Sequence, residues 1–294
     1  MNILSIQSHV AYGHVGNAAA VFVLQRLGAE VWPLHTVQYS NHKGYGDWSG
    51  RDFSAAHITE LVRGLAARGA MAACDAVLSG YIGKAGVGEA ILGALGRVRR
   101  ANPEALYACD PVMGDEGGLY VAPEVADFFR ARALPLADIV TPNRFELERL
   151  SGRRVGSLDE ALAAARELLA LGPKVVLLTS LRLGPAPGDV PGEEIEMLAV
   201  TAGAAWRVRT PYLALDPMPN GAGDSVAALF LAHYLKTREV PAALGHAAAA
   251  IFAVIEATGR AGTRELQLIA AQDELVAPSR RFEVERLPGP EARA

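Results

Sequence analysis

Apolar runs and amphipathic stretches alternate along most of this chain. Apolar runs that predict strands lie at Asn2–Gln7, Glu30–Val37, Ala76–Ser79, Leu106–Cys109, Ile139–Thr141 and Lys174–Thr179. Stretches with helical spacing predict helices over Ala18–Leu27, Ala55–Arg68, Ala85–Ala101 and Ala161–Leu171. Ser157-Leu158-Asp159-Glu160 matches a capping box that would open the last of these helices. This alternation predicts an α/β fold with a mostly parallel central sheet and helices on both faces.

The pattern changes after residue 182. Leu183–Glu194 is rich in proline and glycine and predicts an exposed loop. Beyond it, Ile195–Thr201 and Ala205–Val208 predict a hairpin around Ala202-Gly203. Because no repeat or linker interrupts the chain, we expect a single domain over residues 1–287, with a frayed tail at 288–294.

Composition narrows the class of protein. Of 294 residues, 51% are hydrophobic and 20% charged, so the chain can bury a sizeable core. A net charge of −4 gives no sign of a nucleic-acid partner, and two cysteines are too few for a disulfide scaffold or a structural zinc site. The apolar stretch Ala242–Gly259 is interrupted by His246 and Glu256, which favours a buried helix over a membrane span. A cytoplasmic location without a membrane partner is therefore expected.

One short segment suggests chemistry directly. Gly221-Ala222-Gly223-Asp224 stands before the apolar run Val226–Leu231, at the start of a predicted helix. Free backbone N–H groups at such a position favour an anion, and glycine lets the anion approach closely. An aspartate there would repel a phosphate, but it could accept a proton from a hydroxyl that attacks a phosphorus held by the glycines. The alternative is that the segment is only a turn and a helix start, where glycine and aspartate are common.

Polar clusters follow several of the predicted strands. They are Ser8-His9-Val10, Asp110 to Asp115, Thr141 to Glu146, and Thr179-Ser180. Because the carboxyl ends of parallel strands meet at one edge of a sheet, these clusters are expected to lie near the glycine-rich helix start.

With these segments, the chain resembles the pyridoxal kinases of the ribokinase-like superfamily from about Asn2 to Gln272. The most specific matches are Ser5 to Val10, Gly13 to Asn17 and Val37 to His42. Ser79-Gly80-Tyr81, Cys109 to Asp115, Thr141 to Glu146 and Gly221 to Asp224 add to them.

The resemblance implies ATP- and Mg²⁺-dependent transfer of a phosphoryl group to the 5′-hydroxyl of pyridoxal, and also of pyridoxine and pyridoxamine. It implies that Asp224 is the base and that Gly221, Ala222 and Gly223 form the anion hole. Ser8, Val15 and Tyr81 would shape the acceptor pocket. Asp110 and Glu146 would act on the ATP phosphates through Mg²⁺ and its waters, while the nucleotide site would be lined by Thr141, Asn143 and Thr179. Gly114–Tyr120 resembles a flexible lid, with Tyr120 closing over ATP.

The sequence also departs from the family. Lys43, beside Gly44 in the loop over the substrate, stands where members commonly have threonine. It could contact a phosphate or point outward, and we expect it to point outward because loop lysines are mostly solvated. A kinase for hydroxymethylpyrimidine and a weakly catalytic vitamin B6-binding protein remain as alternatives. The resemblance implies a homodimer, and the sequence leaves open whether a monovalent cation such as K⁺ assists.

Overall fold

A ten-stranded sheet forms the centre of the computed structural model, which describes residues 1–115, 117–183 and 194–288. Its parallel part consists, in spatial order, of β2 (Glu30–Tyr39), β1 (Asn2–Val10), β4 (Ala76–Ser79), β5 (Leu106–Cys109), β8 (Ile139–Val140) and β9 (Val175–Leu181). At one edge β3 (Gly50–Asp52) pairs antiparallel with β2, and at the other β10 (Glu194–Val200), β11 (Ala205–Pro211) and β12 (Val284–Leu287) continue antiparallel. A separate small hairpin joins β6 (Gly114–Asp115) to β7 (Gly118–Leu119).

Helices cover both faces of the sheet. One face packs against α2 (Ala55–Ala67), α3 (Ala85–Ala101), α4 (Pro123–Phe128), α5 (Arg144–Ser151) and α6 (Leu158–Leu171). The other packs against α1 (Asn17–Arg26), α7 (Ala222–Thr237), α8 (Val240–Ala261) and α9 (Gln272–Val276). Alternate strand residues enter the two cores, as Ile3 and Leu4 do in β1. The predicted α/β fold and the predicted hairpin of β10 and β11 are both confirmed.

Three local predictions need correction. β1 does not end at Gln7, because its parallel pairing with β2 resumes after an irregularity and carries both strands on to Val10 and Tyr39. The short helix α5 was not predicted, although Asn143 and Glu146 form a full capping box at its start. At α6 only half of the predicted box forms. Ser157 Oγ accepts from the Glu160 N–H at 3.2 Å, while the Glu160 carboxylate accepts from Gly156 instead.

The helix α8 is, within the described residues, the one helix that is long and apolar enough to cross a membrane. Half of its most apolar 18-residue stretch is buried inside the structure, against α7 and the sheet. Core helices of soluble proteins have this character, so the packing agrees with the prediction of a buried helix.

Two predictions fall largely on residues outside the described ranges. They are the exposed loop of Leu183–Glu194, of which 184–193 are not described, and the tail, of which 289–294 are not described.

Candidate active site

The carboxyl ends of β1, β2, β4, β5, β8 and β9 open into one cavity of about 590 Å³ beside the start of α7. That volume suits a small organic substrate. Every residue assigned to the site from sequence lines this cavity: Ser8, Val15, Lys43, Gly44, Tyr81, Asp110, Tyr120, Thr141, Asn143, Glu146, Thr179, Gly221, Ala222, Gly223 and Asp224. The structure therefore brings together residues from widely separated parts of the chain, as the sheet-edge argument expected.

Two buried carboxylates, Asp110 and Glu146, stand on the wall of the cavity. Asp110 follows β5 and accepts a hydrogen bond from Thr141 Oγ1 at 2.9 Å. Glu146 lies in the first turn of α5, and its two oxygens accept the backbone N–H groups of Met113 and Asn143, each at 2.9 Å. Asn143 Nδ2 donates to the Gly114 carbonyl at 2.8 Å. The capping box of α5 thus fixes the Asp110–Gly114 turn and the carboxylate at once.

Burial dominates the electrostatics of this pair. It raises the pKa of Glu146 to about 8, and the charge of Asp224 adds to the effect. Burial likewise raises the pKa of Asp110 well above its ordinary value, with Glu146 and Asp224 contributing. Because like charges in a buried site disfavour each other, this corner of the cavity favours a positively charged ligand that would stabilise both carboxylates in their ionised form.

The glycine-rich turn stands opposite these carboxylates. Gly221 precedes α7 with φ of 90°, a conformation that L side chains rarely adopt. The first N–H groups of α7 have no partner within the helix and lie at the cavity. Asp224 is in the first helical turn, where burial raises its pKa and a hydrogen bond from the Gly16 backbone opposes that rise. The segment therefore combines an anion site with a carboxylate beside it.

The other end of the cavity is apolar and aromatic. Val10, Val15, Val37 and Tyr39 form a small buried cluster there, and Tyr81 packs against it. This end lies at β1, β2 and β4, on the far side of the sheet centre from β8 and β9. This end of the cavity suits the apolar face of a flat molecule.

Residues from near the C-terminus hold the loops above this apolar end. Glu265 Oε2 accepts from the His14 backbone N–H at 3.2 Å, and its Oε1 accepts from the Tyr45 hydroxyl at 2.5 Å. Arg264 Nη2 donates to the Gly44 carbonyl at 2.6 Å. The loop that contains His14 and the loop that contains Gly44 and Tyr45 are thus both held by the dipeptide Arg264-Glu265.

An apolar recess adjoins the cavity on the opposite side. It shares Thr179, Ser180, Ala222 and Gly223 with the cavity. Its remaining wall is mostly apolar and includes Met218, Val226, Ile251, Phe252 and Ile255. Such a slot suits a flat heterocycle next to the anion site.

Comparison with known proteins agrees with this geometry. The family model described as phosphomethylpyrimidine kinase matches residues 38–268. The pyridoxal kinase of Rubrobacter xylanophilus is 57% identical over 290 residues, which are 98% of each chain. The chain belongs to the pyridoxal kinase family. The pyridoxal kinase of Deinococcus radiodurans is 54% identical over 97% of this chain and 96% of that one.

Among solved structures, pyridoxal kinase from Leishmania donovani in complex with ADP and pyridoxamine superposes with a TM-score of 0.90. It is 33% identical, and the match covers 98% of this chain and 99% of that one. The family and the ribokinase-like fold inferred from sequence are confirmed.

The expectation that Lys43 points outward is wrong for this member of the pyridoxal kinase family. The residue is exposed, but its Nζ lies 4.4 Å from the centre of the Trp48 ring and 4.9 Å from that of Tyr39. A cation over aromatic faces is attracted by their electron density, and this attraction turns the side chain back onto the cavity wall.

Sequence reasoning assigned no role to several residues that also line the cavity: Val10, Val37, Tyr39, His42, Val112, Asp115, Ser180, Pro219 and Asn220. Val37 and Tyr39 could have been assigned to the cavity wall because they alternate along β2 and so lie on one face of it. The strand ends at Tyr39, two residues beyond its predicted end. Ser180 has φ of 54°, which is unusual for a residue other than glycine and cannot be read from sequence.

The segment predicted to be a lid forms the hairpin of β6 and β7 in its described part, which omits Glu116. Tyr120 follows it, is 53% exposed, and donates its backbone N–H to Met113 at 3.1 Å. Tyr120 lines the same cavity as Asp110 and Glu146. Closure over a nucleotide stays a prediction.

Proposed function

We propose that this protein transfers the γ-phosphoryl group of ATP to the 5′-hydroxyl of pyridoxal, giving pyridoxal 5′-phosphate. The observation that carries the proposal is the placement of Asp224 and the free N–H groups of α7 between an apolar acceptor chamber and two buried carboxylates. The pyridoxal kinases to which the chain is similar over nearly its whole length support the same reaction.

Asp224 would act as the general base. As the acceptor oxygen attacks the γ-phosphorus, the carboxylate takes the hydroxyl proton, and the bond from phosphorus to the bridging β-phosphate oxygen breaks. Burial raises the pKa of Asp224, which makes the carboxylate a better proton acceptor than one in water. Its place in the first turn of α7 puts it beside the group that the helix start would hold.

The backbone of Gly221, Ala222 and Gly223 would stabilise charge on the transferring group. N–H groups fixed at a helix start need no reorganisation when charge develops, so they stabilise the transition state more than the ground state. At Gly223 an added Cβ would meet nothing within 4 Å, so the backbone is open to the cavity.

The nucleotide would extend from this anion site toward β8 and β9. Thr141, Asn143, Thr179 and Tyr120 line that part of the cavity and would contact ATP. The adjoining apolar recess, with Met218 and the α8 residues Ile251 and Phe252, would take the adenine ring. On the other side, Ser8, Val15 and Tyr81 would hold the pyridine ring of the acceptor.

The carboxylates fit a hard divalent cation such as Mg²⁺. Asp110 and Glu146 are buried, the charge of Glu146 helps to raise the pKa of Asp110, and both present oxygen, the donor that Mg²⁺ prefers. In the described residues no group of three or more histidine, cysteine or acidic side chains is placed to hold a metal. We propose that Asp110 and Glu146 hold Mg²⁺ through waters and the ATP phosphates, where it would neutralise phosphate charge. The homodimer and the cytoplasmic location stay predictions.

A single panel tests the proposal. Purified protein is incubated with Mg-ATP and, separately, pyridoxal, pyridoxine, pyridoxamine and hydroxymethylpyrimidine, and monophosphates are sought by mass spectrometry. We expect pyridoxal 5′-phosphate, and a loss of roughly 10²–10⁴ in kcat for Asp224→Asn, which removes the base but keeps the side-chain shape. The melting temperature of the variant serves as the control for folding.

Three other outcomes would contradict the proposal in whole or in part. Phosphorylation of hydroxymethylpyrimidine alone would keep the mechanism and change the substrate. Binding of pyridoxal without any product would indicate a vitamin B6-binding protein. Near-normal turnover by Asp224→Asn would remove that residue from the role of base.

A further inference from the structure

The cavity is electrically asymmetric along its length. Its described acidic residues are Asp110, Asp115, Glu146 and Asp224, which follow β5 or belong to α5 and α7. Among the described residues that line it, Lys43 is the only one with a permanent positive charge. Lys43 follows β2, three strand spacings from β5, which corresponds to about 14 Å across the sheet. The positive charge therefore belongs to the acceptor end and not to the end where ATP phosphates would lie.

The ammonium group of Lys43 is held at that end. It lies over the rings of Tyr39 and Trp48, and these rings are 4.3 Å apart between centroids. Tyr39 is itself fixed by a short hydrogen bond from its hydroxyl to Asp52. Aromatic faces position a cation but leave its charge in place, whereas a carboxylate would neutralise it.

The backbone that carries Lys43 is equally constrained. His42 Nδ1 accepts from the Gly44 N–H at 3.2 Å, and the anchors from Arg264 and Glu265 hold Gly44 and Tyr45. In the described part of the chain, no carboxylate oxygen lies within ion-pair distance of Lys43, while the nearby Asp52 pairs with Lys84 at 3.6 Å. The charge of Lys43 thus remains available to a molecule in the acceptor chamber.

We infer that Lys43 selects acceptors by the charge of the substituent on the pyridine ring, disfavouring an aminomethyl cation relative to an aldehyde or hydroxymethyl group. This inference rests on the proposed function. The three B6 vitamers share the 5′-hydroxymethyl group that would be phosphorylated and differ at position 4. Pyridoxal carries an aldehyde there, pyridoxine a hydroxymethyl group and pyridoxamine a protonated amine. Lys43 opposes the attraction that the four acidic side chains would otherwise exert on pyridoxamine.

Coulomb's law sets the size of the effect. For a separation of roughly 6–8 Å between two positive charges and an effective dielectric constant of about 40–80, the repulsion changes relative affinity about 2- to 10-fold. Selection of this size would appear mainly in kcat/KM, because it acts on binding of the acceptor and not on the transferring phosphoryl group.

The test compares kcat/KM for pyridoxal and pyridoxamine in four proteins: the unchanged enzyme, Lys43→Met, Lys43→Arg and Lys236→Met. Methionine keeps an unbranched stem over the aromatic rings without the charge, and arginine keeps the charge. Lys236 is an exposed lysine at the far end of α7, so its substitution makes the same change in net charge away from the cavity. We expect the pyridoxal-to-pyridoxamine ratio to fall about 2- to 10-fold in Lys43→Met and to stay unchanged in the other two variants.

The possible results distinguish failure of this inference from failure of the proposed function. An unchanged ratio in an active Lys43→Met enzyme would overturn the inference and leave the proposed function standing. Absence of product from every vitamer with the unchanged enzyme would overturn the proposed function, and the inference with it. A melting curve checks the fold of Lys43→Met, and Lys43→Gln provides a second neutral variant. Calorimetric titration with each vitamer must show the same change in relative affinity without turnover.

Discussion

Gly221 and Gly223 lie two residues apart at the start of α7, yet replacement of each by alanine should have opposite effects on stability. At Gly221 the backbone φ is +90°, and an added Cβ would overlap the His14 carbonyl oxygen and lie 2.9 Å from its carbon. At Gly223 the backbone is helical, and the added Cβ would meet nothing within 4 Å. The first site has neither the conformation nor the space for a methyl group, and the second has both.

The magnitudes follow from these two environments. Gly221→Ala combines a left-handed backbone, which costs about 1–2 kcal/mol, with an overlap against backbone that costs about 1–3 kcal/mol. The sum of about 2–5 kcal/mol should lower Tm by roughly 3–8 °C for a domain of this size. Gly223→Ala removes a glycine from a helix, which stabilises by up to about 1 kcal/mol. Its methyl group would nevertheless stand where a phosphoryl group must approach, so turnover should fall by about 10².

Differential scanning calorimetry and steady-state kinetics on both variants check this pair of expectations. The decisive observation is a Gly223→Ala protein whose Tm is unchanged or higher while its turnover is depressed. Full activity in that variant would show that the phosphoryl group does not pass the open face of Gly223. An unchanged Tm for Gly221→Ala would refute the argument from steric overlap.

Two further expectations concern stability. The side chain of Asp138 is 10% exposed, pairs with Arg99 at 2.7 Å and accepts the Tyr107 N–H at 2.8 Å. Asp138→Ala should therefore lower the free energy of unfolding, measured with urea, by about 2–4 kcal/mol. A loss below about 1 kcal/mol would contradict this expectation. Burial, with the nearby His9, lowers the pKa of His35 from 6.5 to about 4, so the unfolded chain binds this proton more readily and stability should fall as pH drops below about 6.5. Because solvent screens a half-exposed ring, His35 should account for about 1 kcal/mol of lost stability between pH 7 and pH 5, and urea midpoints should show a smaller drop in His35→Gln. An equal drop in that variant would assign the pH dependence to other groups.

Much of the site could be predicted because its residues follow apolar strands. Asp110 and Thr141 come directly after short runs that have the composition of buried parallel strands, and such strands end at a common edge. The glycine-rich segment could be placed at the same edge because the apolar run behind it predicts a helix. Local sequence patterns were therefore enough to predict site residues that directly follow a strand or stand at the start of a helix.

What could not be predicted depends on contacts between distant parts of the chain. The extension of β1 to Val10 depends on its pairing with Tyr39 in β2, and a single-strand pattern does not contain that register. The direction of Lys43 depends on how the loop folds Trp48 back over Tyr39. The helix α5 is a different case, since the capping pair Asn143 and Glu146 was present in the sequence and was read only as a polar cluster.

The anchoring of two loops by Glu265 limits how this fold can be remodelled. The residue lies 251 positions from His14 and 220 from Tyr45, and it holds both while the carbonyl of His14 faces Gly221. The loop over the acceptor therefore cannot be exchanged by itself, because Glu265, which holds it, lies 220 positions further along the chain. A graft from a relative must transfer the loop and its C-terminal anchor together, and divergence at one of them constrains the other.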